Sequence, residues 1–237
     1  KLRNNMKVYI STSDKYTALI EPFAFLFNKF WSSDQQVVIL GYTKPECKLP
    51  ENFEFISMGV SRNDPKEWST DLRKYFQSID DEWFVYGTED MFLVWPVDFD
   101  SLNKLKTYMK PGVGRISITN DACRKDCTVL EDNVIELTQT ADYRISCIYS
   151  IWNREYMLKY LQPEMTPWEF EIDGSIATNN DGYKILGLND SFPIQLSLAI
   201  RRGDFSNLDF RFDNEYHRSL DQSVIKEMVD KGILEYE

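Results

Sequence analysis

Glu82-Trp83-Phe84-Val85-Tyr86-Gly87-Thr88-Glu89-Asp90 is the stretch whose reading decides the fold. Trp83 to Tyr86 is an unbroken run of bulky apolar side chains, the pattern of a strand buried on both faces. Gly87 then lets the chain turn, and two carboxylates follow at the strand's end. A strand covered on both sides belongs to a sheet with helices packed on each face. In open sheets of that kind ligands bind beyond the carboxyl ends of the strands. The same nine residues therefore predict an architecture and a place to look for a site.

The flanking sequence agrees. Upstream, Lys7 to Ile10 is a β-type run that ends in Ser11-Thr12-Ser13-Asp14, and Tyr16 to Trp31 is a buried helix despite Pro22. Gln36 to Gly41 and Phe53 to Ile56 follow as strands. Asp64 caps a helix with Pro65 at its first position, and Trp68, Leu72, Tyr75, Phe76 and Ile79 share one face. Downstream, Leu102, Leu105 and Met109 mark a helix closed by Pro111-Gly112, and Val113 to Thr119 is a strand. Strand and helix alternate, which predicts an α/β fold with a Rossmann-like, mostly parallel central sheet and helices on both faces.

Beyond about residue 120 the pattern is less regular. Ile135 to Thr138, Arg144 to Ser150 and Tyr183 to Leu188 read as strands. Asn153 caps a helix through Leu161. Thr166-Pro167-Trp168-Glu169 fits a capping box, and a second box, Ser219 with Gln222, opens a helix that runs to Lys231 and stops at Gly232. No repeat or linker interrupts the chain. The expectation is one domain over 1–237, with halves of about 6–119 and about 120–237.

Composition narrows the function. At 43% hydrophobic and 27% charged residues, the 237-residue chain can build a full core and is not disordered. A net charge of −11, with Arg201-Arg202 as the one pair of adjacent arginines, disfavours nucleic-acid and anionic-membrane partners. The longest apolar run, Phe23 to Phe27, is far below the ~18–20 residues of a membrane span, and no n-region and h-region pair predicts a signal peptide. Four cysteines, at 47, 123, 127 and 147, form no Cys-x-x-Cys, and the single histidine leaves a zinc site without ligands. Free thiols in a cytoplasmic protein are expected.

No phosphate-binding P-loop is present, Gly112-Val113-Gly114 lacks the third glycine of a dinucleotide fingerprint, and no elbow-type serine matches His217. The chemistry must rest on carboxylates, alone or with a metal. Thr88-Glu89-Asp90 offers oxygen ligands for a hard divalent cation, or is a solvated acidic turn. In Pro167-Trp168-Glu169-Phe170-Glu171, Glu169 closes the capping box and Glu171 is the freer acid, suited to a general base; Trp168 stacks on a sugar ring or fills the core. Arg201 and Arg202 hold phosphates in fork geometry or pair with surface acids. His217 is a metal ligand or a surface residue.

Together these pieces resemble the nucleotide-sugar half of a GT-A glycosyltransferase. The segments Glu82 to Leu93, Ser150 to Trp152, Thr166 to Glu171 and Ala199 to Gly203 look like a group of bacterial and viral glycosyltransferase-like proteins. In that fold an Asp-x-Asp or x-Glu-Asp motif holds Mn²⁺ or Mg²⁺ against the donor diphosphate. The resemblance implies Asp90 as direct metal ligand, Glu89 as a water-mediated or ribose contact and His217 as a further ligand. It implies Ser11, Thr12, Ser13 and Arg73 along the nucleotide, Glu171 or else Glu169 as the base, and Arg201 or Arg202 on the diphosphate. The implied reaction moves a sugar from a nucleoside-diphosphate sugar, UDP favoured, to a saccharide or other hydroxyl, with inversion preferred. Two alternatives stay open: a virus-type DNA-base glycosyltransferase, and an inactive GT-A-like scaffold, which Thr88 favours because the fuller motif has an acid there.

Overall fold

The computed structural model describes residues 6–199 and 219–234. Among the described residues a nine-stranded sheet is flanked by six α-helices. In chain order the elements are β1 (Val8–Ser11), α1 (Ile20–Phe30), β2 (Val37–Gly41), β3 (Phe53–Ser57), α2 (Glu67–Gln77), β4 (Trp83–Thr88), β5 (Met91–Leu93), α3 (Phe99–Lys106), β6 (Val113–Ser117), β7 (Cys127–Val129), β8 (Val134–Leu137), β9 (Ser150–Asn153), α4 (Arg154–Tyr160), α5 (Pro167–Ala177), β10 (Lys184–Leu188), β11 (Leu196–Leu198) and α6 (Gln222–Asp230). The strand order is β3-β2-β1-β4-β9-β6-β10-β8-β7, with β5 and β11 in a separate two-stranded sheet. Strands β1 to β4 run parallel, as do β6 and β10, while β9 runs against both β4 and β6 and β8 against β10.

The alternation of side chains across each strand explains the two-faced burial. Val8, Ile10, Val37, Ile39 and Val85 point to one core, shared with α1, α3 and α6. Tyr9, Val38, Leu40, Phe84 and Tyr86 point to the other, shared with α2, α4 and α5. Aromatic pairs fix the second core, among them Phe76 stacked on Phe84 at 4.5 Å between centroids. Gly114 is needed for close approach: a Cβ there would lie 2.5 Å from the Tyr156 ring.

Three expectations are corrected. The strand read at 144–150 exists only from Ser150, because Tyr143 takes a left-handed φ of 54° and Arg144 is drawn out of the sheet to Asp181, Thr178 and two backbone carbonyls. The last helix is capped by Asp221, which accepts from Ser223 N–H, so the box read at Ser219 is not formed. The helix at 64 begins at Glu67, with Asp64 instead accepting from the Lys66 N–H in the preceding turn. Among the described residues no helix is long and apolar enough to cross a membrane.

Candidate functional site

The sheet's register sets the site. Ser11 lies opposite Thr88, Tyr86 opposite Ser150, and Ser150 opposite Ser117, so the carboxyl ends of β1, β4 and β6 meet the start of β9 at one edge. Glu89 and Asp90 form the turn between β4 and β5. The pairing of β5 with β11 clamps that turn, and the Ala199 N–H donates to the Asp90 carbonyl at 2.7 Å. Gly87 fits beneath it because a Cβ would meet the buried Tyr149 ring at 2.9 Å.

The two acids of the turn have different surroundings. Glu89 is only 5% exposed and accepts from Thr12 Oγ1 at 3.0 Å and from the Ser13 N–H. Burial, and then the neighbouring Asp90 charge, push its carboxyl up to about 8. Near neutrality Glu89 is therefore largely a neutral tie between the ends of β1 and β4. Asp90 is half-buried, Thr88 Oγ1 donates to its Oδ1 at 2.7 Å, and burial raises its pKa as well.

The structure redistributes the residues expected along the nucleotide. Ser11 is buried and engaged by Trp68 Nε1 at 3.2 Å and the Tyr86 hydroxyl at 2.7 Å. Thr12 is committed to Glu89, and only Ser13 of the three is exposed. The Arg73 guanidinium donates to the carbonyls of Leu158 and, at 2.8 Å, Leu161, closing the end of α4. Arg201, Arg202 and His217 lie outside the described residues.

Helix α5 carries the other acids. Thr166 and Glu169 form the full capping box, Lys66 lies 3.6 Å from Glu169, and these donors hold its carboxyl below the ordinary range. Glu169 serves as the cap of α5. Trp168 is 67% exposed and so is not a core residue. Glu171 is half-buried, its Oε1 accepts from the Cys147 N–H at 2.7 Å, and burial raises its pKa. One turn on, Ser175 Oγ accepts from the Ile145 N–H at 3.0 Å and donates back to the Ile145 carbonyl, and Thr178 Oγ1 accepts from Arg144 Nε at 3.0 Å. Glu171, Ser175 and Thr178, at i, i+4 and i+7, thus pair with the irregular 144–147 stretch as a neighbouring strand would.

Burial pushes the Cys147 thiol up, the Glu171 and Asp90 charges push the same way and Arg115 opposes them. Arg115, Asp121, Cys147 and Tyr149 were not anticipated. A signal existed for Arg115, a lone charge in the otherwise apolar and small-residue strand Val113 to Thr119. A cavity of about 430 Å³ lies elsewhere, lined by Phe25, Cys47, Leu49 and Ile233, and touches none of these acids. Among the described residues no group of three or more His, Cys, Asp or Glu could hold a metal ion.

No protein-family model matches the sequence, and no curated protein matches it. Solved structures are similar in fold. The mannosyltransferase PcManGT from Pyrobaculum calidifontis, in complex with GDP-Man and Mn²⁺, superposes with a TM-score of 0.52 at 16% identity, over 84% of this chain and 58% of that one. HddC from Yersinia pseudotuberculosis gives 0.50 at 10% identity, over 86% and 98% of the two chains. The galactosyltransferase LgtC, in complex with donor and acceptor sugar analogues, gives 0.42 at 14% identity, over 76% and 67%. The chain has a GT-A-like α/β fold, and it spans 58% of the mannosyltransferase's length.

Proposed function

We propose that this chain is a glycosyltransferase that moves a sugar from a nucleoside-diphosphate sugar to a saccharide or other hydroxyl acceptor. The observation that carries this is the placement of Asp90 in the turn after β4, where the carboxyl ends of β1, β4 and β6 meet the start of β9, with Glu171 of α5 bonded to the Cys147 N–H in the stretch that leads into β9. The other acids there are spent on the scaffold: Glu89 ties β1 to β4 and Glu169 caps α5.

Asp90 is the acid that fits a divalent cation, since Glu89 faces inward and stays largely protonated. Mn²⁺ or Mg²⁺ bound there would compensate the charge of the departing nucleoside diphosphate. Thr88 fixes the Asp90 carboxylate, and Ser13 is the exposed hydroxyl on the nucleotide side. Glu171 takes the acceptor's proton; its raised pKa makes it a better base than an ordinary carboxylate, and a base opposite the leaving group favours inversion. Exposed Trp168, one turn before Glu171, offers a face to the acceptor sugar. Arg201 and Arg202, which follow Ala199 in sequence, steady the diphosphate, and His217 is the further candidate ligand.

Uridine and guanosine diphosphate sugars, screened with and without Mn²⁺, test this by thermal stabilisation, because ligand binding to the native state raises Tm. A Mn²⁺-dependent shift that disappears in Asp90→Ala is expected. Glu171→Gln should keep the shift and lose transfer. A shift that persists unchanged in Asp90→Ala removes the cation from Asp90.

A further inference from the structure

Arg115 is wholly buried in β6, an expensive position for a guanidinium. Its Nη2 meets Asp121 Oδ2 at 3.0 Å, its Nη1 lies 3.4 Å from the Ser146 carbonyl oxygen, and its plane lies over Trp152, 5.8 Å from the ring centre. The peptide that presents that carbonyl also presents the Cys147 N–H, which donates to Glu171 Oε1 at 2.7 Å. One trans peptide unit is thus gripped at both ends, by a cation at its oxygen and by a carboxylate at its N–H. A peptide dipole of about 3.5 D aligned between them favours this order of charges.

We propose that Arg115 is a positioning residue: through the Ser146–Cys147 peptide it fixes the Glu171 carboxylate, and together with Asp121 it sets the charge that carboxylate feels. The groups facing Glu171 are Arg115 from β6, Asp121 from the loop after it, and Ser146 and Cys147 from the stretch before β9. Their effects oppose one another. The Asp121 charge raises the Glu171 pKa, while Arg115, the Cys147 N–H and the Ser146 hydroxyl lower it. Lys125 lies 3.7 Å from Asp121 and shares its charge. An ion pair needed only for packing would leave the Cys147 N–H bond to Glu171 unchanged when Arg115 is shortened to lysine.

The inference rests on reading Glu171 as the acid that takes the acceptor's proton, but its test does not need turnover. Carboxyl ¹³C resonances titrated in the wild-type chain, with Glu171→Gln to assign the signal, give the Glu171 midpoint directly. Asp121→Asn keeps the side chain's shape and removes its charge, so the midpoint should fall by about half a pH unit or more. Arg115→Lys keeps the charge but cannot span Asp121 and the Ser146 carbonyl at once, so the midpoint should rise and the Cys147 amide proton should move upfield. Identical midpoints in all three proteins overturn the proposal. Where transfer is measurable, the acid limb of the kcat profile should move with the carbon signal while the donor KM holds. If the carbon signal moves and no transfer is found with any donor, the positioning stands and the glycosyltransferase reading falls.

Discussion

Glu89→Gln isolates the most perturbed carboxyl at the site. The native state holds the Glu89 proton with a pKa near 8, against an ordinary value of 4.5. The folded pKa of an acid is raised here, so the native state binds the proton more tightly than the unfolded chain. Stability from this group is whole below 4.5 and is lost as pH climbs toward 8. Each pH unit in that window is worth about 1.4 kcal/mol, and the whole span on the order of 5 kcal/mol. Glutamine keeps an acceptor for Thr12 Oγ1 and has no proton to lose. The stability of Glu89→Gln relative to wild type should therefore grow by roughly 2–3 kcal/mol between about pH 5.5 and about pH 7.5. For a domain of this size that is roughly 5–10 °C in Tm. Thermal melts in EDTA, which keeps cations off Asp90, read the difference. A gap that is the same at both pH values, or that shrinks as pH rises, would refute the assignment of Glu89 as a buried neutral tie.

Three further outcomes follow from the packing. Gly114→Ala places a methyl 2.5 Å from the Tyr156 ring and should cost about 1–3 kcal/mol, visible as a lower denaturant midpoint at unchanged slope. Thr166→Ala removes half of the α5 capping box and should cost about 1 kcal/mol, leaving the far-UV spectrum intact. Arg144→Met strands Asp181, which the guanidinium meets at 3.1 Å in a buried pair, and should cost roughly 3–5 kcal/mol; calorimetry showing near-wild-type stability would mean that Tyr160 and the Tyr183 N–H satisfy Asp181 alone.

The sheet was legible because its strands are buried on both faces. Val37 to Gly41 and Trp83 to Tyr86 must read as continuous apolar runs, and runs so short, bounded by turn residues, suit a buried strand better than a helix. The capping box at Thr166 was legible for a similarly local reason: the bonding lies within four residues. Strands β5, β7 and β11 were not legible. Each is three residues long and exists through a partner strand, distant in sequence where Leu198 lies opposite Met91. Which serine of Ser11-Thr12-Ser13 stays free could not be read either, because the answer depends on Trp68 and Tyr86 reaching Ser11 from two other elements. The partners of Arg73 were not legible for a comparable reason: the end of α4 that takes its guanidinium is distant in sequence.

The misread stretch at 144–149 is the one that creates the fixed acid. Had those residues continued β9, their N–H groups would have bonded to β4 and β6, and α5 would have needed only an apolar face against the sheet. Because Arg144 leaves the sheet for Asp181, the backbone from 144 to 147 must find partners elsewhere, since unpaired buried N–H groups are costly. Helix α5 supplies them with Ser175 and Glu171. A serine satisfies that need with no charge, and it does so at Ile145. At Cys147 the same geometric duty falls to a carboxylate, which feels the charge of a buried arginine. Backbone satisfaction alone would accept serine, asparagine or glutamine at 171, so the choice of an acid there carries information that the packing does not require. That surplus charge is the physical reason the proposed reaction is assigned to Glu171 and the turn after β4.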